Sequence, residues 1–163
     1  MVVYLVCMFL GIALDQILKI AVVKNIPLYD DILDWGFFRI TYIRNEGAAF
    51  GIFEGKTILL TGLTAVFLLA IFIFLVIQVT KVNRQPKMVL CAMALIVTGG
   101  VGNLIDRVNL GYVVDYLSFW SFPVFNLADI MVVVGAGLII LYLLVFENKN
   151  KGEDNNGKQE WKS

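Results

Sequence analysis

The acidic residues at the borders of long apolar segments are the side chains of this sequence that could do chemistry. Asp115 lies in the apolar stretch Val113-Val114-Asp115-Tyr116, and Asp129 follows Asn126 at the start of another apolar segment. An ionised side chain inside a bilayer costs about 2.5–3.5 kcal/mol, so such residues usually face the protein interior and mark a functional site. The alternative is that Asp115 and Asp129 are unrelated acids at the membrane interface.

Two carboxylates that lie close together can supply both the acid and the base of a hydrolysis. Like charges at short range resist joint ionisation, so the pair shares one proton and its pKa values separate. The ionised carboxylate then takes a proton from water, and the protonated one polarises the carbonyl under attack. The sequence contains no histidine, which excludes Ser-His-Asp and Cys-His catalysis and an HExxH zinc site.

Further polar side chains are predicted at a similar depth in the membrane. Asp15 and Lys19 are four residues apart and can pair on one helix face. Asn103 and Arg107 have the same spacing in a later segment. Structural roles stay open, because the Asp15–Lys19 pair could fix helix packing, Arg107 could reach lipid phosphates and Asn126 could cap a helix.

The composition places the chain among membrane proteins. Of its 163 residues, 60% are hydrophobic and 16% are charged, and a soluble domain of this size could not bury so much apolar surface. The net charge is zero, so no nucleic-acid partner is expected. Cys7 and Cys91 lie inside apolar runs and are expected to be core or lipid-facing residues rather than a disulfide or metal pair.

Four segments are long and apolar enough to cross a bilayer, which takes about 20 residues. They are residues 2–23, 57–79, 88–105 and 124–146. Within the third, Gly99, Gly100 and Gly102 indicate a close-packing face. Connection 24–56 contains Phe37 to Ile43, whose β-branched and aromatic residues predict a strand. The apolar run 48–53 is expected to continue this small sheet or to dip into the interface.

The basic residues predict the orientation of the chain. The connection 81–87 holds Lys81, Arg84 and Lys87 and no acid, so it is predicted to be cytoplasmic by the positive-inside bias. Both termini then lie in the cytoplasm, and the connections 24–56 and 107–123 lie outside. We expect residues 1–147 to form the membrane domain and the polar residues 148–163 to form a disordered tail. The predicted fold class is a polytopic α-helical membrane protein with four transmembrane helices and a small extracytoplasmic β-rich cradle.

Five motifs, in this order along the chain, resemble the bacterial lipoprotein signal peptidase family, also called signal peptidase II. They are Asp15-Gln16-Ile17-Leu18-Lys19, Arg44-Asn45-Glu46-Gly47-Ala48-Ala49-Phe50-Gly51, Gly99-Gly100-Val101-Gly102-Asn103-Leu104-Ile105-Asp106-Arg107, Val113-Val114-Asp115-Tyr116 and Phe125-Asn126-Leu127-Ala128-Asp129. Each motif alone is weak. Together, on a profile of four spans, they form a specific signal that extends over nearly the whole chain apart from the tail.

The resemblance implies an intramembrane aspartic endopeptidase of the bacterial cytoplasmic membrane, with Asp115 and Asp129 as its catalytic dyad and no cofactor or metal. The implied substrate is a prolipoprotein with diacylglycerol on its lipobox cysteine, cut just before that cysteine to release the signal peptide. Membrane lipids and a cyclic-peptide inhibitor such as globomycin are further implied partners, and we expect a monomer. The same resemblance implies substrate-binding or supporting roles for Asp15, Lys19, Asn45, Gly47, Asn103, Arg107 and Asn126.

Other functions stay open on the residues alone. A small carrier or channel could use Asp15, Asp115 and Asp129 as a proton relay, although these acids are predicted at one face rather than along a path. A non-catalytic assembly protein would leave the polar cluster unexplained. An aspartic peptidase of the GxGD type is disfavoured, because Gly100-Val101-Gly102 is followed by Asn103.

Overall fold

The computed structural model describes residues 1–47, 57–81 and 86–147. Its long helices are α1 (Val2–Asn25), α2 (Thr57–Thr80), α3 (Lys87–Leu110) and α4 (Leu127–Tyr142), the last continued by a π-helical turn, Leu143–Glu147. The strands β1 (Asp31–Asp34), β2 (Phe38–Asn45) and β3 (Val113–Phe119) form one antiparallel sheet in the order β1-β2-β3. Four long apolar helices with a small sheet confirm the predicted fold class.

Helix α3 lies at the centre of the bundle and contacts each of the other three long helices. In its most apolar window 61% of the residues are buried, whereas the corresponding share is 22% or less in α1, α2 and α4. All four helices have a mean hydropathy of at least 2.1. The exposed faces of the three outer helices therefore suit lipid rather than water.

Glycines allow the outer helices to approach α3 closely. A Cβ atom on Gly99 would overlap the backbone oxygen of Ala128 in α4, and one on Gly102 would lie 2.6 Å from Oδ2 of Asp15 in α1. Such close approach requires residues without a side chain at the contact. The close-packing face predicted for these glycines is confirmed.

Helix α3 continues past the predicted end of its span at residue 105. It ends at Leu110, because Asn103 and Asp106 are buried against protein and do not have to be apolar. The helix stops at Gly111, whose φ of 82° caps the C-terminus in the left-handed conformation.

Helix α4 begins later than the predicted start of its span at residue 124. Asn126 is its N-cap, so the first helical residue is Leu127. The preceding Phe125 instead forms an isolated antiparallel bridge with Leu117 of β3. The segment that enters α4 is therefore tied to the sheet.

The sheet packs on the C-terminal end of α1. The strand predicted at residues 37–43 is confirmed as β2, whereas β1 and β3 were not predicted. A buried apolar cluster joins the sheet to the helix, formed by Val22, Ile26, Tyr42, Val114 and Tyr116. Successive side chains of a strand point to opposite faces. Val114 and Tyr116 face this cluster, so the Asp115 side chain between them points to the other face.

Three predictions fall outside the described residues or are untested by the fold. Residues 48–56, 82–85 and 148–163 lie outside the described ranges. A continuation of the sheet or an interfacial dip at residues 48–53, and a disordered tail, thus stay predictions. The side of the membrane on which the sheet lies also stays a prediction.

Candidate active site

A cavity of about 510 Å³ opens between the sheet and the adjoining ends of α3 and α4. Six residues predicted for the site line it, namely Asn45, Gly47, Asn103, Arg107, Asp115 and Asp129. Apolar side chains before and within α4, such as Phe122 and Val132, form much of the remaining wall. The structure therefore brings together polar residues that lie far apart in the sequence.

Asp115 lies in the middle of β3 and is 2% exposed. Its Oδ1 accepts a hydrogen bond from Nδ2 of Asn126 at 2.7 Å, and its Oδ2 accepts one from Nδ2 of Asn45 at 2.9 Å. Burial raises the pKa of the Asp115 carboxyl from the ordinary 3.8 to about 7, and the nearby Asp129 carboxylate adds to this increase against the opposing amide hydrogen bonds. A carboxyl of this pKa can both hold and release a proton near neutral pH.

Asp129 lies in the first turn of α4, where a capping box fixes its carboxylate. Its Oδ2 accepts from the backbone N–H of Asn126 at 3.2 Å, and Oδ1 of Asn126 accepts from the backbone N–H of Asp129 at 3.0 Å. The predicted cap at Asn126 is thus confirmed. The other carboxylate oxygen, Oδ1 of Asp129, accepts from Nδ2 of Asn103 at 2.7 Å.

Asn126 links the two acids. It is fully buried, and its Nδ2 donates to Oδ1 of Asp115 while its own Oδ1 and backbone N–H bond Asp129. One residue at a helix terminus therefore fixes the position of both carboxylates. Within the described ranges, no group of three or more His, Cys, Asp or Glu side chains could hold a metal ion.

A buried lysine supports this arrangement without lining the cavity. The Lys19 Nζ atom lies 2.9 Å from Oδ2 of Asp15, 2.9 Å from Oδ2 of Asp106 and 2.9 Å from Oδ1 of Asn103. The predicted ion pair of Asp15 with Lys19 is confirmed. Because an ammonium group only donates hydrogen bonds, Asn103 turns its oxygen towards Lys19 and its nitrogen towards Asp129.

Asp15 is a second support for α4. It is fully buried, and its Oδ1 accepts from the backbone N–H of Ala128 at 3.0 Å. Ala128 immediately precedes Asp129. Asp15 therefore holds the first turn of α4 through the backbone and does not itself line the cavity that contains Asp115 and Asp129.

Asp106 and Gln16 are supporting residues that the sequence interpretation missed. Oδ2 of Asp106 accepts from the backbone N–H of Val114 at 3.1 Å, and Oδ1 accepts from Nε2 of Gln16 at 3.0 Å. Asp106 thereby anchors the residue just before Asp115. Its spacing of three residues from Asn103 was the available signal, because it places both side chains on adjacent positions of one helix face.

Arg107 lies on the cavity wall. Its Nη2 donates to the backbone oxygen of Gly47 at 3.3 Å. Its Nε is buried and has no hydrogen-bond partner within the part of the chain that the structure describes. A cationic donor is therefore present in the same cavity as the two acids.

The chain is similar in sequence to known proteins. Residues 7–145 match the family model described as signal peptidase (SPase) II. The chain is 45% identical over 147 residues to the lipoprotein signal peptidase of Halothermothrix orenii, covering 86% of this chain and 94% of the relative. It is 37% identical over 146 residues to the lipoprotein signal peptidase of Clostridium tetani, covering 86% of this chain and 91% of the relative.

Solved structures share the fold of this chain. A bacterial membrane enzyme solved by the in meso method at 2.3 Å resolution superimposes with a TM-score of 0.78 at 32% identity, covering 88% of both chains. Another, at 1.9 Å resolution, gives a TM-score of 0.77 at 31% identity and covers 90% of this chain and 95% of that one. The chain is therefore a multi-pass membrane protein and belongs to the signal peptidase II family.

Proposed function

We propose that this peptidase-family protein is an intramembrane aspartic endopeptidase whose catalytic pair is Asp115 and Asp129. The observation that carries the proposal is that both carboxylates line one cavity and both are hydrogen-bonded to Asn126. A shared anchor of this kind keeps two acids at a fixed separation, which acid–base catalysis requires.

The electrostatics suit a pair that shares one proton. Burial and the neighbouring Asp129 raise the pKa of Asp115 to about 7, so a proton on the pair is available at neutral pH. The ionised carboxylate takes a proton from the attacking water, and the protonated one polarises the scissile carbonyl. Their roles exchange as the amine leaves, and the apparent pKa values belong to the pair rather than to one residue.

The amides and the arginine have separate roles in this proposal. Asn45 and Asn103 orient Asp115 and Asp129, respectively, through the hydrogen bonds described above. The buried Nε of Arg107 lacks a partner within the described ranges, so a carbonyl oxygen of the bound substrate is its expected acceptor. A fixed cationic donor near the carbonyl would also stabilise the negative charge that develops there.

The proposed substrate is a prolipoprotein that carries diacylglycerol on its lipobox cysteine, cut just before that cysteine. Support comes from the name of the relatives, lipoprotein signal peptidase, and from the apolar wall of the cavity at Phe122 and Val132, which suits an apolar signal segment. The proposed location is the bacterial cytoplasmic membrane, with both termini in the cytoplasm and the site towards the outer face. A monomer and inhibition by a cyclic peptide such as globomycin belong to the same proposal.

The proposal is tested with a synthetic lipobox peptide that carries diacylglycerol on its cysteine, incubated with the purified protein in detergent micelles. We expect mass spectrometry to show a signal-peptide product that ends immediately before the lipidated cysteine. The matched control is the same peptide without lipid, which should not be cut. Cleavage at another bond, equal cleavage of the bare peptide, or no cleavage by folded protein would contradict the proposed substrate and cut.

A further inference from the structure

A second cavity, of about 510 Å³, lies between the C-terminal half of α1 and the sheet. Its walls include Leu18 and Ala21 of α1, Ile32 and Ile40 of the first two strands, and Tyr116 with Leu127 at the entry to α4. Its volume is in the range of about 300–1,000 Å³ that small-molecule sites occupy. It shares no lining residue with the catalytic cavity, so a substrate bound at the two acids would not fill it.

The walls of this α1 groove suit a hydrocarbon chain. The side chains that line it are apolar apart from Asn25 and the Tyr116 hydroxyl. The Asn25 amide donates to the backbone oxygen of Ala21 at 2.7 Å, and the Tyr116 hydroxyl accepts from the backbone N–H of Leu127 at 3.2 Å. Water bound there would find few polar partners.

The groove is continuous with the lipid-facing surface of the bundle. Leu18 and Ile32 in its wall are 36% and 59% exposed, so the groove is open. Ile17, beside Leu18 on the same helix, is 62% exposed, and α1 is one of the candidate membrane spans. Acyl chains of the bilayer are therefore the molecules with direct access to it.

The basic residue nearest in sequence to the polar side chain of the groove is Lys24, which precedes Asn25 in the last turn of α1 and is exposed. In the ranges that the structure describes, Lys24 has no ion pair. From Leu18 to Asn25 the helix rises about 10 Å, so an amphiphile with its chain along α1 would bring an anionic headgroup to Lys24.

We infer that the α1 groove binds one acyl chain of an anionic membrane phospholipid, with the phosphate at Lys24. The bound chain would pack against Tyr116 and Leu127. The Tyr116 hydroxyl accepts a hydrogen bond from the backbone N–H of Leu127. Tyr116 follows Asp115 directly, and Leu127 begins the turn of α4 that carries Asp129. The lipid would therefore support the two residues adjoining the proposed catalytic pair from outside their cavity.

The inference is tested by native mass spectrometry of the whole protein in mild detergent, titrated with phosphatidylglycerol. Ala21→Trp fills the groove with a side chain and should remove one tightly bound lipid, weakening its Kd at least about tenfold. Ile20→Trp is the matched control, because Ile20 is exposed on the same helix but does not line the groove. It should bind lipid as the wild type does.

A second variant leaves the groove walls intact and tests the headgroup. Lys24→Gln should weaken phosphatidylglycerol binding about fivefold, the effect of one basic residue near a lipid surface, and leave phosphatidylcholine binding unchanged. Equal lipid retention by Ala21→Trp and Ile20→Trp would overturn the inference. A higher KM for the lipidated peptide in Ala21→Trp, with phospholipid retention unchanged, would also overturn the inference. The groove would then hold the acyl chain of the substrate.

Discussion

At the scale of single residues, the Asn126 side chain determines how the two acids are held. Its amide nitrogen bonds Asp115, and its oxygen caps the helix that carries Asp129. Lys19 donates to the oxygen of the Asn103 amide, so the nitrogen of that amide faces Asp129. Every amide in this set therefore has a defined orientation, which is the condition for a preorganised acid–base pair.

The raised pKa of Asp115 makes the stability of the protein depend on pH. The pKa of the Asp115 carboxyl is about 7 in the folded protein, above the ordinary 3.8. Its contribution to the free energy of unfolding is therefore fully present below pH 3.8 and is lost as the pH rises to about 7. With the pKa raised from 3.8 to about 7, this contribution to the free energy of unfolding is at most about 4 kcal/mol.

Asp115→Asn should therefore become more stable relative to the wild type as the pH rises from about 4 to 7. Thermal unfolding in detergent across this range measures the difference, with the exposed Asp30→Asn as the control that should follow the wild type. An identical pH dependence in Asp115→Asn and the wild type would show that Asp115 does not titrate in this way.

Replacing Asn126 separates its two roles. Asn126→Ser keeps an N-cap and Asn126→Ala loses it at a cost of about 1 kcal/mol, so the serine variant should have the higher unfolding temperature of the two. Neither variant can bond Asp115 through an amide, so both should lower turnover about 10²-fold, the cost of misplacing reacting groups. Wild-type turnover in Asn126→Ser would show that the amide link is not required.

At the scale of elements, α3 and β3 hold the site together through buried polar contacts. Asp106 of α3 bonds the backbone of Val114 in β3 and pairs with Lys19 of α1. Three elements therefore meet at one carboxylate. The strand that carries Asp115 is fixed to the bundle by this contact as well as by the apolar cluster on the end of α1.

Removing the charge of Asp106 should loosen this junction. In Asp106→Asn the buried Lys19 keeps one carboxylate partner, and breaking a buried pair costs about 3–5 kcal/mol, so we expect a large drop in unfolding temperature and in turnover. Asp31→Asn is the control, because it breaks the exposed Asp31–Arg39 pair, worth about 0–1 kcal/mol. Equal stability of the two variants would contradict a supporting role for Asp106.

Hydropathy predicts the long helices because their outer faces need apolar residues along the full length, but it does not predict where they end. Buried Asn103 and Asp106 lower the hydropathy of α3 before the helix stops. Strand β3 was missed because Val113 to Tyr116 are all buried, which removes the alternation that marks a half-buried strand. Strand β1 has four residues and depends on pairing with β2.

The sequence also predicted most residues of the candidate site, since polar groups in apolar segments stand out by type and by motif. It could not show which neighbours they contact. Asp106 was not predicted as a site residue, yet it pairs with Lys19 and accepts from the backbone of Val114, because the chain after α3 brings β3 back across the helix end. Such a return depends on tertiary packing and not on local spacing.

At the scale of the whole molecule, the bundle presents apolar outer helices to lipid and keeps its buried charged side chains, Asp15, Lys19, Asp106 and Asp115, around the C-terminal end of α3. The predicted orientation places that end and the sheet outside the cytoplasm. Trp35, in the turn between β1 and β2, is 63% exposed, and Lys81 is an exposed residue just after α2. These two positions should therefore lie on opposite sides of the membrane.

Cysteine labelling tests this orientation. With Cys7 and Cys91 replaced by serine, Trp35→Cys should react with a membrane-impermeant maleimide in intact cells, and Lys81→Cys only after permeabilisation, because the reagent cannot cross the bilayer. Labelling of both positions in detergent confirms that each thiol is accessible. The reverse pattern in intact cells would place the sheet and the site in the cytoplasm.

The catalytic roles proposed for Asp115 and Asp129 are tested most directly by the turnover of lipidated lipobox peptide by Asp115→Asn and Asp129→Asn. Each change keeps the side-chain shape and removes the carboxylate, so each should lower turnover about 10²–10⁴-fold, the contribution of general acid–base catalysis. Asp30→Asn, which changes an exposed acid outside the cavity, should retain wild-type turnover. Near-normal turnover in either cavity variant, with wild-type unfolding behaviour, would contradict the two-aspartate account.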